Sequence, residues 1–309
     1  MTLIRLQASD FQDEAEFQHN ITKLEAIAIH ANDIVKSGKK LAGVDLVGDF
    51  YEAHAVDNAF KSQIAQLAQQ HPDAQKIFQR HKGDLLASID EIVQLHDFEP
   101  LKKRLFQMLA QTVQDVYQNM DQIIAGINAP VYGVMGNTDV QDVYQILKSV
   151  KFTDIEDGVV ENGPFRIAGA NNTYELPFII AHLFPAAGVH YDDHPDTGQS
   201  PAYQRLNAVK VGKKANIMQL HGPPNIEALR KIQTKKGEEY VPTEGAGISK
   251  LIEEHKPQLV ECGHIHTAKL ITVNGIRYAR SSPNVYFEHH FDDNGNYLGT
   301  EVFEYARKG

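Results

Sequence analysis

Five short segments of this chain carry residue types that bind metals or handle phosphate. They are Ser9-Asp10-Phe11-Gln12, Gly48-Asp49, Gly136-Asn137-Thr138-Asp139, His221-Gly222-Pro223-Pro224 and Gly263-His264-Ile265-His266. Most follow an apolar run that reads as a β-strand. The donors are carboxylates, amide oxygens and imidazoles. That mixture suits Mn, Fe, Zn or a similar divalent ion, not an iron–sulfur cluster or an all-oxygen calcium site. Two ions about 3.5–4 Å apart need one ligand that touches both. A carboxylate has two oxygens for this, and Asp49 is the natural candidate. The chemistry such a pair performs is hydrolysis of a phosphate ester.

Taken singly, each residue has a plainer explanation. Asp10 suits a helix N-cap, while Asp49, Asn137 and Asp139 suit turns. A single His221 is commonly a core or surface histidine. The ordered occurrence of all five segments is what turns the reading to a metal site. His54, His182, His190, His194, His289 and His290 stay with the plainer explanation, as do His71, His81 and His96 in polar helical stretches.

The elements that must position these residues follow from periodicity. Residues 3–8 and 41–47 read as strands around a helix at 22–36, whose apolar positions are Leu24, Ile27, Ala28, Ala31, Ile34 and Val35. Strand, helix, strand in this order predicts a parallel βαβ unit. Residues 58–127 are rich in Gln, Lys, Glu, Leu and Ala. They predict helices over 58–70, 73–95 and 100–126, forming an insertion over one end of the sheet that packs and shields it, mediates self-association or forms a lid over the substrate. Strands follow at 130–135, 153–155, 159–161 and 165–169. Residues 185–201 read as a polar loop. Further strands are expected at 215–220 and 257–262, with a helix at 247–255 before the latter. The tail reads as antiparallel strands at 270–273, 276–279, 285–291 and 297–305. Asp10, Asp49, Asn137, His221, His264 and His266 then fall at strand C-termini, where loops of α/β sheets converge into pockets.

Bulk properties narrow the class. The chain has 309 residues, 42% hydrophobic and 23% charged, enough for a substantial core. The formal net charge of -10 repels polyanions, so binding to long nucleic acid is not expected. A single cysteine, Cys262, forbids an intramolecular disulfide and fits a reducing compartment. No signal peptide or membrane-crossing run is read, so a cytoplasmic location is expected.

The ordered motifs resemble the calcineurin-like metallophosphoesterase superfamily, from about residue 3 to residue 284. The resemblance implies a four-layer α/β/β/α sandwich of two mixed sheets. It implies one domain over 1–309, with the helical insertion inside it. It implies two divalent ions, one held by Asp49, Asn137, His221 and His264, the other by Asp10, Gln12, Asp49 and His266. Asp49, Asn137 and His221 become the catalytic residues. The reaction is hydrolysis of a small phosphomonoester or phosphodiester by a metal-bound hydroxide. Two positions depart from the family pattern. Gln12 stands where a histidine is usual, and an amide oxygen is a weaker ligand for borderline ions than imidazole. Thr138 stands where many relatives have a histidine, and threonine cannot act as a general acid near neutral pH. Asp139, which usually orients that histidine, is then expected to serve as a turn or cap. These departures keep open an alternative, a degenerate member acting as a binding module.

Overall fold

In a computed structural model of the protein, the structure describes residues 2–11, 19–50, 72–83, 85–92, 117–136, 139, 151–155, 158–170, 214–234, 237–240 and 246–305, with isolated positions between 62 and 107. Strand β1 (Leu3–Ala8) is buried throughout and lies parallel to β2 (Lys40–Val47). Helix α1 (His19–Lys36) makes the crossover between them and packs on β2. Its Leu24, Ile27, Ala31 and Ile34 are buried at helical spacing, and Ile29 faces out. The helix ends where Gly38 turns to φ +80 and its N–H reaches the Val35 carbonyl at 3.0 Å.

Two six-stranded sheets form among the described residues. The first adds β3 (Val131–Val134), β4 (Phe152–Asp154), β13 (Val285–Phe291) and β14 (Tyr297–Glu304), in the order β14-β13-β1-β2-β3-β4. The second contains β5 (Val159–Asn162), β6 (Phe165–Ala170), β7 (Ile217–Leu220), β10 (Leu259–Cys262), β11 (Lys269–Val273) and β12 (Ile276–Arg280), in the order β11-β12-β10-β7-β6-β5. Both sheets mix parallel and antiparallel pairs.

Alternation along the strands explains the layering. Leu3, Val47, Ile217, Leu259, Phe287 and Phe291 share one buried cluster between the sheets. Their neighbours Met218, Leu220 and Val260 belong to a second cluster with Ile248, Leu251 and Ile252 of the helix Ala246–His255. Helix, sheet, sheet, helix is the expected four-layer α/β/β/α sandwich. Polar groups also cross between the sheets. Gln219 donates to the Asp45 carboxylate at 2.6 Å, Asp45 holds Arg5, and Gln7 donates to the Ala279 carbonyl at 3.0 Å.

Three details differ from the sequence expectation. The helix expected over 73–95 is two helices, Pro72–Arg80 and Leu85–Ile92. Between them Lys82 and Gly83 both take positive φ, which no helix tolerates. A hairpin of β8 (Lys231–Thr234) and β9 (Gly237–Tyr240) occupies a stretch where no strand is expected. In the tail, β12 pairs antiparallel with β11 but also parallel with β10. The expected helix at 58–70, the part of the expected 100–126 helix before residue 117, and the loop at 185–201 lie largely or wholly outside the described residues.

Candidate metal centre

The loops after β1, β2, β7 and β10 meet at one end of the sandwich. Asp10 and Phe11 donate their backbone N–H groups to the carbonyls of Gly48 (3.1 Å) and Asp49 (2.9 Å), which locks the first two loops together. Gly263 donates to the His221 carbonyl at 2.9 Å and couples the other two. Asp10, Asp49 and His221 are buried, whereas the His266 side chain is 37% exposed, so the cluster opens to solvent on that side.

Two groups of donors result. Single ligand atoms of Asp49, His221 and His264 lie within 4.8 Å of one another, and so do those of Asp10, Asp49 and His266. Asp49 belongs to both. Its Oδ1 is 3.2 Å from His221 Nε2, and His266 Nε2 is 4.0 Å from Asp10 Oδ1. The rings of His221 and His264 meet edge to face at 5.4 Å. Gln12 and Asn137, also read as ligands, and Thr138 lie outside the described residues.

The supporting contacts fix each donor. His221 Nδ1–H donates to the Val47 carbonyl at 2.9 Å, which leaves Nε2 facing Asp49. The His264 backbone N–H donates to Asp10 Oδ1 at 2.8 Å, and the Ser9 hydroxyl donates to Asp10 Oδ2 at 2.5 Å. Ser9 is in turn 2.6 Å from the Ser281 hydroxyl. Six non-glycine residues among those described have positive φ, and three are Asp10 (φ 50), Asp49 (φ 55) and His264 (φ 65). The others lie in turns or just past a helix end. Backbone strain therefore concentrates on the cluster, as at sites that bind ligands. Gly48 and Gly136 permit the close approach. A Cβ on Gly136 would lie 2.1 Å from Asp49 Oδ1, and one on Gly48 would lie 2.4 Å from His221 Nδ1.

The electrostatics suit a cation. Burial lifts the Asp10 carboxyl above its usual range; His221 opposes this and the Asp49 charge adds to it. Burial pulls His221 down, but the charge and hydrogen bond of Asp49, with Asp10, outweigh it and push the imidazole up to about 9. Burial and the neighbouring His221 hold His264 down to about 4, so it is a neutral donor at pH 7. Buried carboxylates require a compensating positive charge, and a divalent ion supplies more of it than one imidazolium. Two imidazole- and carboxylate-bearing groups that share Asp49 fit a pair of such ions.

Two neighbours escape sequence reading. Lys23 is buried under the site, donating to the carbonyls of Ser9 (2.5 Å) and Ser282 (2.8 Å), with its ammonium 4.9 Å from the Phe11 ring centre. Burial lowers its pKa to about 7, against the pull of Asp10. A lysine in an amphipathic helix gives no sequence signal for this role. Asp139, expected to be a turn or cap residue, is instead a buried anchor. It accepts from Phe50 N (2.8 Å), Tyr117 Oη (2.8 Å) and Gly136 N (2.7 Å). Burial and the Asp49 charge raise it to about 7. Tyr117 lies in the stretch read as the insertion, which thus packs against the loop carrying Gly136.

No protein-family model matches the sequence, and no curated protein matches it. Solved structures do share the fold. The protein TT1561 of Thermus thermophilus is 12% identical with a TM-score of 0.52, covering 98% of this chain and 99% of that one. A candidate 5'-nucleotidase of Staphylococcus aureus, in complex with alpha-ketoglutarate, is also 12% identical with a TM-score of 0.52. It covers all of this chain, which spans 55% of that protein. The architecture they share is the α/β/β/α sandwich of two mixed sheets described above. No helix among the described residues is long and apolar enough to cross a membrane.

Proposed function

We propose that this chain is a metal-dependent phosphoesterase acting on a small phosphodiester or phosphomonoester. The observation that carries the reading is Asp49, a buried carboxylate common to two groups of metal donors. Asp49, His221 and His264, with Asn137, would hold one divalent ion. Asp10, Asp49 and His266, with Gln12, would hold the other. Mn, Fe and Zn suit these donors. Such a pair, when bound, supplies acidity to water and neutralises the charge on phosphate oxygens.

The chain's own residues supply position. The Val47 carbonyl holds the His221 ring so that Nε2 stays directed at Asp49. Ser9 and the His264 amide orient both oxygens of Asp10. Phe11 and Phe50, the residues after Asp10 and Asp49, are buried and stack at 5.4 Å. His266 stands at the open side, where a phosphoester would enter. Thr138 offers no proton near neutral pH, so leaving groups that depart as stable anions are favoured. A structural neighbour described as a candidate 5'-nucleotidase supports phosphoester chemistry.

The test is turnover of an aryl phosphodiester by the full chain loaded with Mn, Fe or Zn. The aryl diester should be cleaved far faster than an alkyl one, because general acid catalysis is worth about 10²–10⁴-fold. Asp49→Ala and His264→Ala should abolish both. No turnover above Asp49→Ala with any of these metals, on phosphodiester or phosphomonoester, would favour the binding-module reading raised by Gln12 and Thr138.

A further inference from the structure

A second group of donors lies on the opposite face of the first sheet from the inter-sheet core. Along β13, Phe287 and Phe291 point into that core, and His289 joins them by meeting Gln7 Oε1 at 3.0 Å. Tyr286, Glu288 and His290 alternate with these and face α1. The strand register sets Glu301 of the edge strand β14 directly opposite Glu288. Two carboxylates are thus paired across adjacent strands, and one of them is buried. Like charges directly opposed in a sheet are destabilising unless something lies between them.

His290 completes the group. Its Nε2 is 3.2 Å from Glu288 Oε1 and 3.5 Å from Glu301 Oε1. That nitrogen is shielded from solvent and makes no hydrogen bond among the described residues, despite both carboxylates. One ligand atom of each of the three lies within 4.8 Å of the others. A tetrahedral zinc ion with bonds of about 2.0–2.1 Å separates its donors by roughly 3.3–3.4 Å, which the two observed spacings bracket. An outer contact braces the buried carboxylate. His30 of α1 places Nε2 3.0 Å from Glu288 Oε2, and its Nδ1 is 2.9 Å from the Tyr286 hydroxyl. Metal-ligating carboxylates are commonly held this way from behind. The Glu301 side chain is 65% exposed, so an ion can enter from solvent and keep water in a fourth position.

We propose that Glu288, His290 and Glu301 form a separate zinc-binding site that clamps the edge strand β14 to β13. It shares no residue with the Asp49 cluster and stands whether or not that cluster is catalytic. The competing arrangement is direct contact of His290 with the two carboxylates, with no affinity for metal.

The two are separated by zinc titration of the full chain carrying Asp49→Ala, against a chromogenic competitor at pH 7. One equivalent should bind, and zinc should raise the melting temperature. Adding Glu301→Gln, an exposed change that the fold tolerates, should weaken that equivalent by about a hundredfold and abolish the thermal shift, whereas His30→Gln should weaken it about tenfold. His290→Ala should act as Glu301→Gln does. Absence of zinc binding in the Asp49→Ala protein would overturn the proposal, and so would binding that Glu301→Gln leaves unchanged.

Discussion

Gly136→Ala should disable the candidate centre while leaving the protein folded. The new Cβ would stand 2.1 Å from Asp49 Oδ1 and 2.2 Å from the Asp49 backbone nitrogen. Ordinary contact begins at 3.4 Å, so the two loops must part by about 1.3 Å. The clash is with backbone as well as side chain, so a rotamer change cannot relieve it. Misplacement of a catalytic group by about 1 Å can cost 10²-fold in rate, or roughly 2.7 kcal/mol of barrier. The overpacking should cost about 1–3 kcal/mol of stability, within the roughly 5–15 kcal/mol of a typical domain. Gly275→Ala is the control. Gly275 has φ +80 in the β11–β12 turn with no heavy atom within 4 Å of an added Cβ, so the change costs about 1–2 kcal/mol of strain without touching the centre. The assay is metal-dependent hydrolysis of an aryl phosphodiester, with melting followed by circular dichroism. Both variants should melt cooperatively, and only Gly136→Ala should lose turnover. Equal turnover in the two would refute the link between close approach at Gly136 and the chemistry of Asp49.

Three further outcomes follow from buried contacts. Tyr117→Phe removes a hydrogen bond to the Asp139 carboxylate and should lower stability by about 1.5–3 kcal/mol in denaturant titration. Lys23→Met leaves the Ser9 and Ser282 carbonyls without their ammonium donor, and should cost about 1–3 kcal/mol and lower metal affinity, read by chelator competition. His289 is held down from 6.5 to about 3 by burial, reinforced by Arg5, so the unfolded chain binds a proton that the folded chain refuses. Its contribution to stability is complete above pH 6.5 and is lost as pH falls toward 3. His289→Gln should remove up to about 1.4 kcal/mol per pH unit from the acid slope in that window, measured by urea unfolding across pH.

The parts of the fold carried by local periodicity were legible in the sequence. Residues 3–8, 22–36 and 41–47 have unbroken apolar patterns, and their elements begin and end within a few residues of expectation. The break at Lys82–Gly83 was not legible, because Gln, Lys and Asp on either side continue a helical pattern and one glycine need not stop it. The Lys231–Tyr240 hairpin gives no strand signal because it is short and mostly polar, with Ile232 and Tyr240 its only sizeable apolar residues. The parallel pairing of β12 with β10 joins residues whose register no local pattern encodes. At the site, Asp10, Asp49, His221, His264 and His266 are readable because each follows an apolar run, and all but Asp10 have a glycine or proline beside or near them. Lys23 and the anchoring role of Asp139 depend on tertiary burial, and nothing in their neighbouring residues announces it.

The most direct measurement is anomalous diffraction from crystals of the full chain grown with Mn²⁺ or Zn²⁺, collected at the metal edge. At the Asp49 cluster the account predicts two peaks about 3.5–4 Å apart with Asp49 between them. One should be bound by His221 and His264, and the other by Asp10 and His266. Soaking Asp49→Ala crystals in the same way should remove or weaken both. Anomalous density absent from Asp49, or ions bound there without His221 and His264, would contradict the central claim.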